Sequence, residues 1–219
     1  YKPDDNCDII EITEEDDFTS EKGYQKVKTI LQTYTKAVLF ISMPCVGGCM
    51  FNVGINWSKE SARPRILSHW KLFNKLWGAY TRLCDELRFI IPTILEWPRN
   101  NSYWREKKVI KLLKRNNMEF CDFDGCQYGL KDHKDIQFLR KPWRFATNFP
   151  NVAQKFNLIC KRDHVHGSTC GKEAIHSQYY TPVMSCLVHL CIADLLFGFT
   201  DDTKTIMKYD VFVSRYGLS

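Results

Sequence analysis

No apolar run in this chain approaches the roughly 20 residues needed to cross a bilayer, so the sequence is read as a soluble chain with no membrane segment. Its first residues, Tyr1-Lys-Pro-Asp-Asp, are polar and charged, which excludes a secretory leader at that point. An initiator methionine is also lacking, and the expectation is a fragment or a piece cut from a polyprotein. There are no internal repeats and no low-complexity linkers, so the 219 residues are expected to share one fold. Residues 1–150 are assigned to an α/β core, and residues 151–219 to a Cys/His cluster and a closing helix packed on it. No Gly-x-Gly turn precedes the first strand-like segment, Cys7–Thr13.

Cysteine, by contrast, is plentiful. Ten of them without a leader point to reduced thiols plus one metal site, in an intracellular setting, nuclear or cytoplasmic. A formal charge of +6, with six tryptophans set among Lys and Arg, is compatible with a nucleic-acid partner.

The most informative stretch is Ala37-Val-Leu-Phe-Ile-Ser-Met-Pro-Cys45-Val-Gly-Gly. Its apolar run reads as a strand buried on both faces, of the kind found in a parallel sheet covered by helices. Chemistry in such sheets sits beyond the carboxyl ends of the strands, which makes Cys45 a candidate nucleophile; a packed, inert thiol is the alternative. Cys7–Thr13 reads as an earlier strand that runs into Glu14-Glu15-Asp16-Asp17. Thr19 or Ser20 then caps a helix to about Tyr34, with Gly23 a blemish in its first turn. Strand, helix and strand would place Asp16, Asp17 and Cys45 in one crevice.

Further on, Ile66, Trp70, Phe73, Leu76, Trp77, Tyr80, Leu83 and Leu87 recur at three- and four-residue steps, a core-facing helical stripe. Ile90–Pro98 repeats the strand design and carries Glu96 to the same sheet edge as Cys45. Trp104–Asn116 reads as a basic amphipathic helix. Met118–Phe123 and Arg140–Asn148 read as strands, Val152–Leu158 as helical, and Pro182–Phe197 as a last helix. Cys160-Lys-Arg-Asp-His164-Val-His166-Gly-Ser-Thr-Cys170 is the densest cluster of metal-ligand residue types. Thiolate and imidazole this close suit a tetrahedral zinc, with Cys126 or Cys170 as the fourth ligand. A thiol enzyme pairing Cys45 with His164 or His166 is a further alternative.

Taken in order, Ser42-Met-Pro-Cys45, Glu96-Trp-Pro98, Asp124-Gly-Cys126-Gln-Tyr-Gly129, Lys141-Pro-Trp143, Thr147-Asn148 and Cys160 with His164 and His166 resemble the divergent cytosine-5 DNA methyltransferase-like domains of phages and retroelement polyproteins. The resemblance covers about Asp16 to Tyr180. It implies an α/β fold with a mainly parallel sheet flanked by helices, a partial Rossmann-type core with a small Cys/His-rich C-terminal part. It also implies S-adenosylmethionine-dependent transfer to cytosine in nucleic acid, with Cys45 attacking the ring and Glu96 holding and protonating the ring nitrogen. Asp17, or Asp16, would meet the cofactor adenine. Zinc would sit on Cys126, Cys160, His164 and His166, the pattern favouring Cys126 over Cys170. Met43 stands where the family has the first proline of Pro-Pro-Cys, and the glycine-rich cofactor turn is missing. The chain alone is therefore expected to bind S-adenosylmethionine weakly, with an upstream segment or partner chain completing the site. A non-catalytic, zinc-stabilised nucleic-acid or protein-binding module is the rival reading.

Overall fold

The computed structural model describes residues 8–34, 36–87 and 90–197. Ten regular elements follow one another: α1 (Glu21–Thr33), β1 (Leu39–Ile41), α2 (Arg63–Glu86), β2 (Thr93–Pro98), α3 (Lys107–Arg115), β3 (Glu119–Asp124), β4 (Pro142–Thr147), α4 (Pro150–Lys155), α5 (Lys172–His176) and α6 (Pro182–Phe197). The protein is α/β, with one four-stranded sheet in the order β1-β2-β4-β3. β1 and β2 are parallel, pairing Leu39 with Thr93, Phe40 with Ile94 and Ile41 with Leu95. The sheet as a whole is mixed, which corrects the expectation of a mainly parallel one. β4, last in sequence, lies between β2 and β3, an order that its place in the sequence does not disclose.

Cys7 lies outside the described residues, and residues 8–13 form no strand, correcting the reading of Cys7–Thr13. The isoleucines of that alternation bury little, Ile9 and Ile10 being 53% and 42% exposed, so a strand there would gain no core. Instead Thr13 and Asp16 form a capping box around a single 3-10 turn, and Asp17 closes it in the left-handed region at φ 41°. β1 is also shorter than the run Ala37–Met43, and Phe40 is 37% exposed. It is an edge strand with one neighbour, and native edges are commonly kept short.

The helices follow the sequence periodicity. Ser20 caps α1 by accepting from the Gly23 N–H at 3.1 Å, and Tyr24, Val27 and Leu31 form its buried face. Gly23 is no blemish: a Cβ there would fall 2.1 Å from the Asp16 carbonyl oxygen and 2.3 Å from that of Asp17. α2 carries Pro64 in its first turn, where a missing N–H costs nothing, and buries Ile66, Phe73, Leu76, Trp77, Tyr80 and Leu83.

By contacts the chain divides into two compact units. One is built from Ile12–Phe120 and Arg144–Phe149. Its core gathers Phe73, Trp77, Trp97, Tyr103 and Trp104, with Phe73 stacked on Tyr103 at 3.8 Å. Full burial of a side chain this size stabilises by roughly 1.5–3 kcal/mol, so this aromatic cluster dominates that unit. The other unit contains, among the described residues, Cys121–Trp143 and the chain from Pro150 to Phe197. Phe123, Tyr128, Trp143 and Phe156 form its centre, with Tyr128 stacked on Phe156. The Tyr128 hydroxyl donates to the Lys155 carbonyl at 2.8 Å, and Thr181, just before α6, donates to the Tyr128 carbonyl at 2.6 Å. Among the described residues, no helix is long and apolar enough to cross a membrane.

Candidate metal centre

β3 delivers Asp124 to the start of a 3-10 turn, Gly125–Tyr128, that Gly129 closes at φ 80°. Only glycine fits at 125, because a Cβ would lie 2.7 Å from both Leu130 Cδ2 and Trp143 Cζ3. The turn fixes Cys126 in a buried position. Asp124, fully buried, then reaches the later segment: its Oδ2 accepts the Cys160 backbone N–H at 3.0 Å and Arg140 Nε at 3.3 Å. Arg162 adopts φ 62°, a conformation uncommon outside glycine, and its N–H points to Cys160 Sγ at 3.3 Å.

His164 and His166 follow two residues apart, a spacing that puts both side chains on one side of an extended segment. A bridge to Phe138 fixes His166, and the Gly167 N–H donates to the Phe138 carbonyl at 2.9 Å. Phe138 also packs edge-on against the His164 ring.

The outcome is that Cys126, Cys160, His164 and His166 each offer a ligand atom, and all four atoms lie within 4.8 Å of one another. Cys160 Sγ is 3.5 Å from His166 Nε2 and 3.9 Å from His164 Nε2. Zinc bonds of about 2.3 Å to sulfur and about 2.0 Å to nitrogen make a tetrahedral S–N edge of about 3.5 Å. The group could hold a metal ion, and its donor set and spacing are compatible with zinc. His164 Nδ1 bonds Asp163 Oδ1 at 2.8 Å, leaving Nε2 for the centre, the usual arrangement behind a metal-bound imidazole. Cys170, the other candidate, is exposed and outside the group.

Two of the four groups, Cys126 and His166, are held back from ionising. Burial, then the adjoining Cys160 thiol, pushes the Cys126 thiol up to about 11. Burial, then the neighbouring His164 and Arg140, lowers the basicity of His166. Its hydrogen bond to His164 holds Asp163 below the usual carboxylate range. A buried thiol held in its protonated form at Cys126 and an imidazole of lowered basicity at His166 suit a divalent cation, which takes up thiolate and neutral imidazole together.

The other sequence candidates lie in the first unit. Parallel pairing of Ile41 with Leu95 brings Ser42 beside Glu96, and Ser42 Oγ donates to Glu96 Oε2 at 2.9 Å. Glu96 is buried, 7% exposed. Cys45 is half-buried against the aromatic core and opens the 3-10 turn Val46–Gly48. Asn101, 1% exposed, holds this loop by donating to the Cys45 carbonyl at 2.8 Å, and Ser102 Oγ donates to the Gly48 carbonyl at 3.0 Å. Beneath the loop, the Tyr103 hydroxyl is buried beside the Gly47 and Gly48 backbone, and burial, then the Cys45 and Cys49 sulfurs, raises its pKa well above the ordinary phenol.

Asp16 and Asp17 serve the entry to α1. Asp16 accepts the Thr13 N–H and pairs with Lys26, and Asp17 Oδ1 accepts both the N–H and the hydroxyl of Thr19.

Sequence reasoning missed Asp124 and Asp163 as supports of the centre. An aspartate directly preceding Gly-Cys126 and another directly preceding His164 were the signals. Comparison of the chain with protein-family models, curated proteins and solved structures yields no match.

Proposed function

We propose that Cys126, Cys160, His164 and His166 hold one zinc ion in a closed structural site, and that the chain is a zinc-stabilised binding module. Convergence of four donor atoms within 4.8 Å supports this. Four protein ligands fill a tetrahedral zinc and leave no position for substrate, which is the mark of a structural rather than a catalytic ion. The ion would join the Gly125–Tyr128 turn to the Cys160–His166 segment, two stretches separated in sequence that otherwise meet through the Asp124 hydrogen bonds. His164 and His166 are thereby committed to the cluster, since both face Cys160, rather than to activating Cys45. Elemental analysis of the purified chain tests the proposal, with one zinc per chain expected. Cys126→Ser with Cys160→Ser should abolish it, and a metal-free parent protein would sink it.

A second reading has one specific observation in its favour: β1 and β2 are adjacent and parallel, and Ser42 and Glu96 are hydrogen-bonded at their carboxyl ends, with Cys45 three residues further along. We infer a methyltransferase-like role in which Cys45 attacks a cytosine ring and Glu96 holds the ring nitrogen. A thiolate adds to the ring only when charge building on the base is neutralised from the other side, and the base must leave its stack to reach both. S-adenosylmethionine would supply the methyl group, and an upstream segment or partner chain would complete its pocket. Covalent capture of an oligonucleotide carrying 5-fluorocytosine, in the presence of that cofactor, tests this reading. Capture lost in Cys45→Ser supports it, and no capture by the parent chain, with or without the upstream segment, overturns it.

A further inference from the structure

α3 holds five cations and no acid in nine residues. Val109, Leu112 and Leu113 turn inward, and two of the cations are occupied: Lys108 donates to Asn74 and stands 4.6 Å from the Phe73 ring centre, and Arg115 pairs with Asp85. Lys107, Lys111 and Lys114 remain, exposed at positions i, i+4 and i+7 of one face. Some cations of this unit pair with acids, as in Lys26–Asp16, Lys28–Glu86 and Arg82 with Glu21 and Glu86; α3 differs in having no acid among its own nine residues. Like charges at three- and four-residue spacing repel within a helix, and lysines in a first turn oppose the helix dipole. Lys107 is therefore held against the dipole and Lys111 against like charges on both sides, while Lys114, in the last turn, is favoured by the dipole.

We propose that this face takes the phosphate backbone of nucleic acid through Lys107, Lys111 and Lys114. The proposal goes beyond the metal site and does not rest on it. Seven residues of helix span about 10 Å, matching about three successive charges of one strand at 3.4 Å each. Contacts of this kind position a nucleic acid and carry no base sequence. An anionic membrane is disfavoured, because Ile110, 39% exposed, is the large apolar side chain this face offers and nothing else on it could enter a lipid layer.

The test uses the full chain as purified and a labelled random-sequence 20-base-pair duplex, with affinity measured from about 50 to 200 mM salt. Replacing Lys107, Lys111 and Lys114 together by Gln should lower the log–log salt slope by about 2.7 and weaken binding roughly 500-fold at 0.1 M salt. A control with Lys22, Lys59 and Lys134 changed to Gln removes the same charge and should leave the slope nearly unchanged. If the triple variant proves unfolded by circular dichroism, Lys111→Gln alone should lower the slope by about 0.9. Absence of parent binding, an unchanged slope in the α3 variant, or an equal loss in the control overturns the proposal. So does α3-dependent binding to phosphatidylserine vesicles without binding to the duplex.

Discussion

Asp124 grips Cys160 through the backbone: its buried Oδ2 accepts the Cys160 N–H at 3.0 Å, thirty-six residues along the chain. A hydrogen bond from a main-chain amide sets the position of that residue more firmly than a side-chain contact would. Asp124→Ala should weaken zinc binding about 10- to 100-fold, as loss of a supporting partner does. It should also destabilise the metal-free chain by about 1–3 kcal/mol, because the amide is left unsatisfied. Asp124→Asn keeps an acceptor for the amide and should be milder on both counts. Competition against a chromophoric chelator, with urea unfolding alongside, measures the pair.

Asp163 supports the cluster differently, from the surface and through His164 Nδ1. Exposed ion pairs contribute little to stability. Asp163→Ala is accordingly expected to leave the urea midpoint of the metal-free chain unchanged while weakening zinc by about 10-fold. Equal losses in metal affinity and metal-free stability would show that the aspartate supports the fold rather than the imidazole.

Acid should loosen the contact between α1 and α2. Arg82 pairs with Glu21 and Glu86, and Lys28 with Glu86. Hydrogen bonds from Arg82, and then Gln25, hold Glu21 at about 2; those from Lys28, and then Arg82, hold Glu86 at about 2. Both folded values lie below the ordinary 4.5, so their contribution is complete above that pH and is lost as pH falls toward 2. Urea midpoints of the parent and Arg82→Met should differ at pH 5 and converge by pH 2. Because the pairs are exposed, 1 M salt at pH 5 should narrow the same gap.

Gly48 is the tightest point of the Cys45 loop. A Cβ there would lie 2.1 Å from Asn101 Oδ1 and 2.8 Å from Tyr103 Cδ1. Because both neighbours are buried, Gly48→Ala should cost about 1–3 kcal/mol by overpacking. Gly54→Ala, with open space at its Cβ, is the matched control and should cost far less. Denaturant midpoints of the two variants give the comparison.

How far the sequence reached varied by element. The α2 stripe was legible because eight apolar residues repeat at helical spacing, and α1 because Ser20 sits where a cap belongs. The metal group was legible as a composition, Cys160 with two histidines, but the spacing alone left Cys126 and Cys170 open as fourth ligand. Choosing between them depends on where β3 ends and the Gly125 turn points, a long-range fact. Residues 8–13 misled for the opposite reason: an alternating pattern is local, whereas a strand needs a partner, and Ile9 and Ile10 remain in water. The place of β4 between β2 and β3 was likewise invisible, because which strands pair is a long-range fact.

Trp143 abuts Gly125, the residue before Cys126, and is the one tryptophan of the unit that holds the four ligands. A shift of that turn on binding of the proposed ion would change the surroundings of its indole. The other five tryptophans belong to the remaining unit and would contribute a constant emission background. If the proposed zinc site fills, the chain would carry its own optical gauge of occupancy, in which Trp143→Phe removes the signal and leaves the four ligand residues in place.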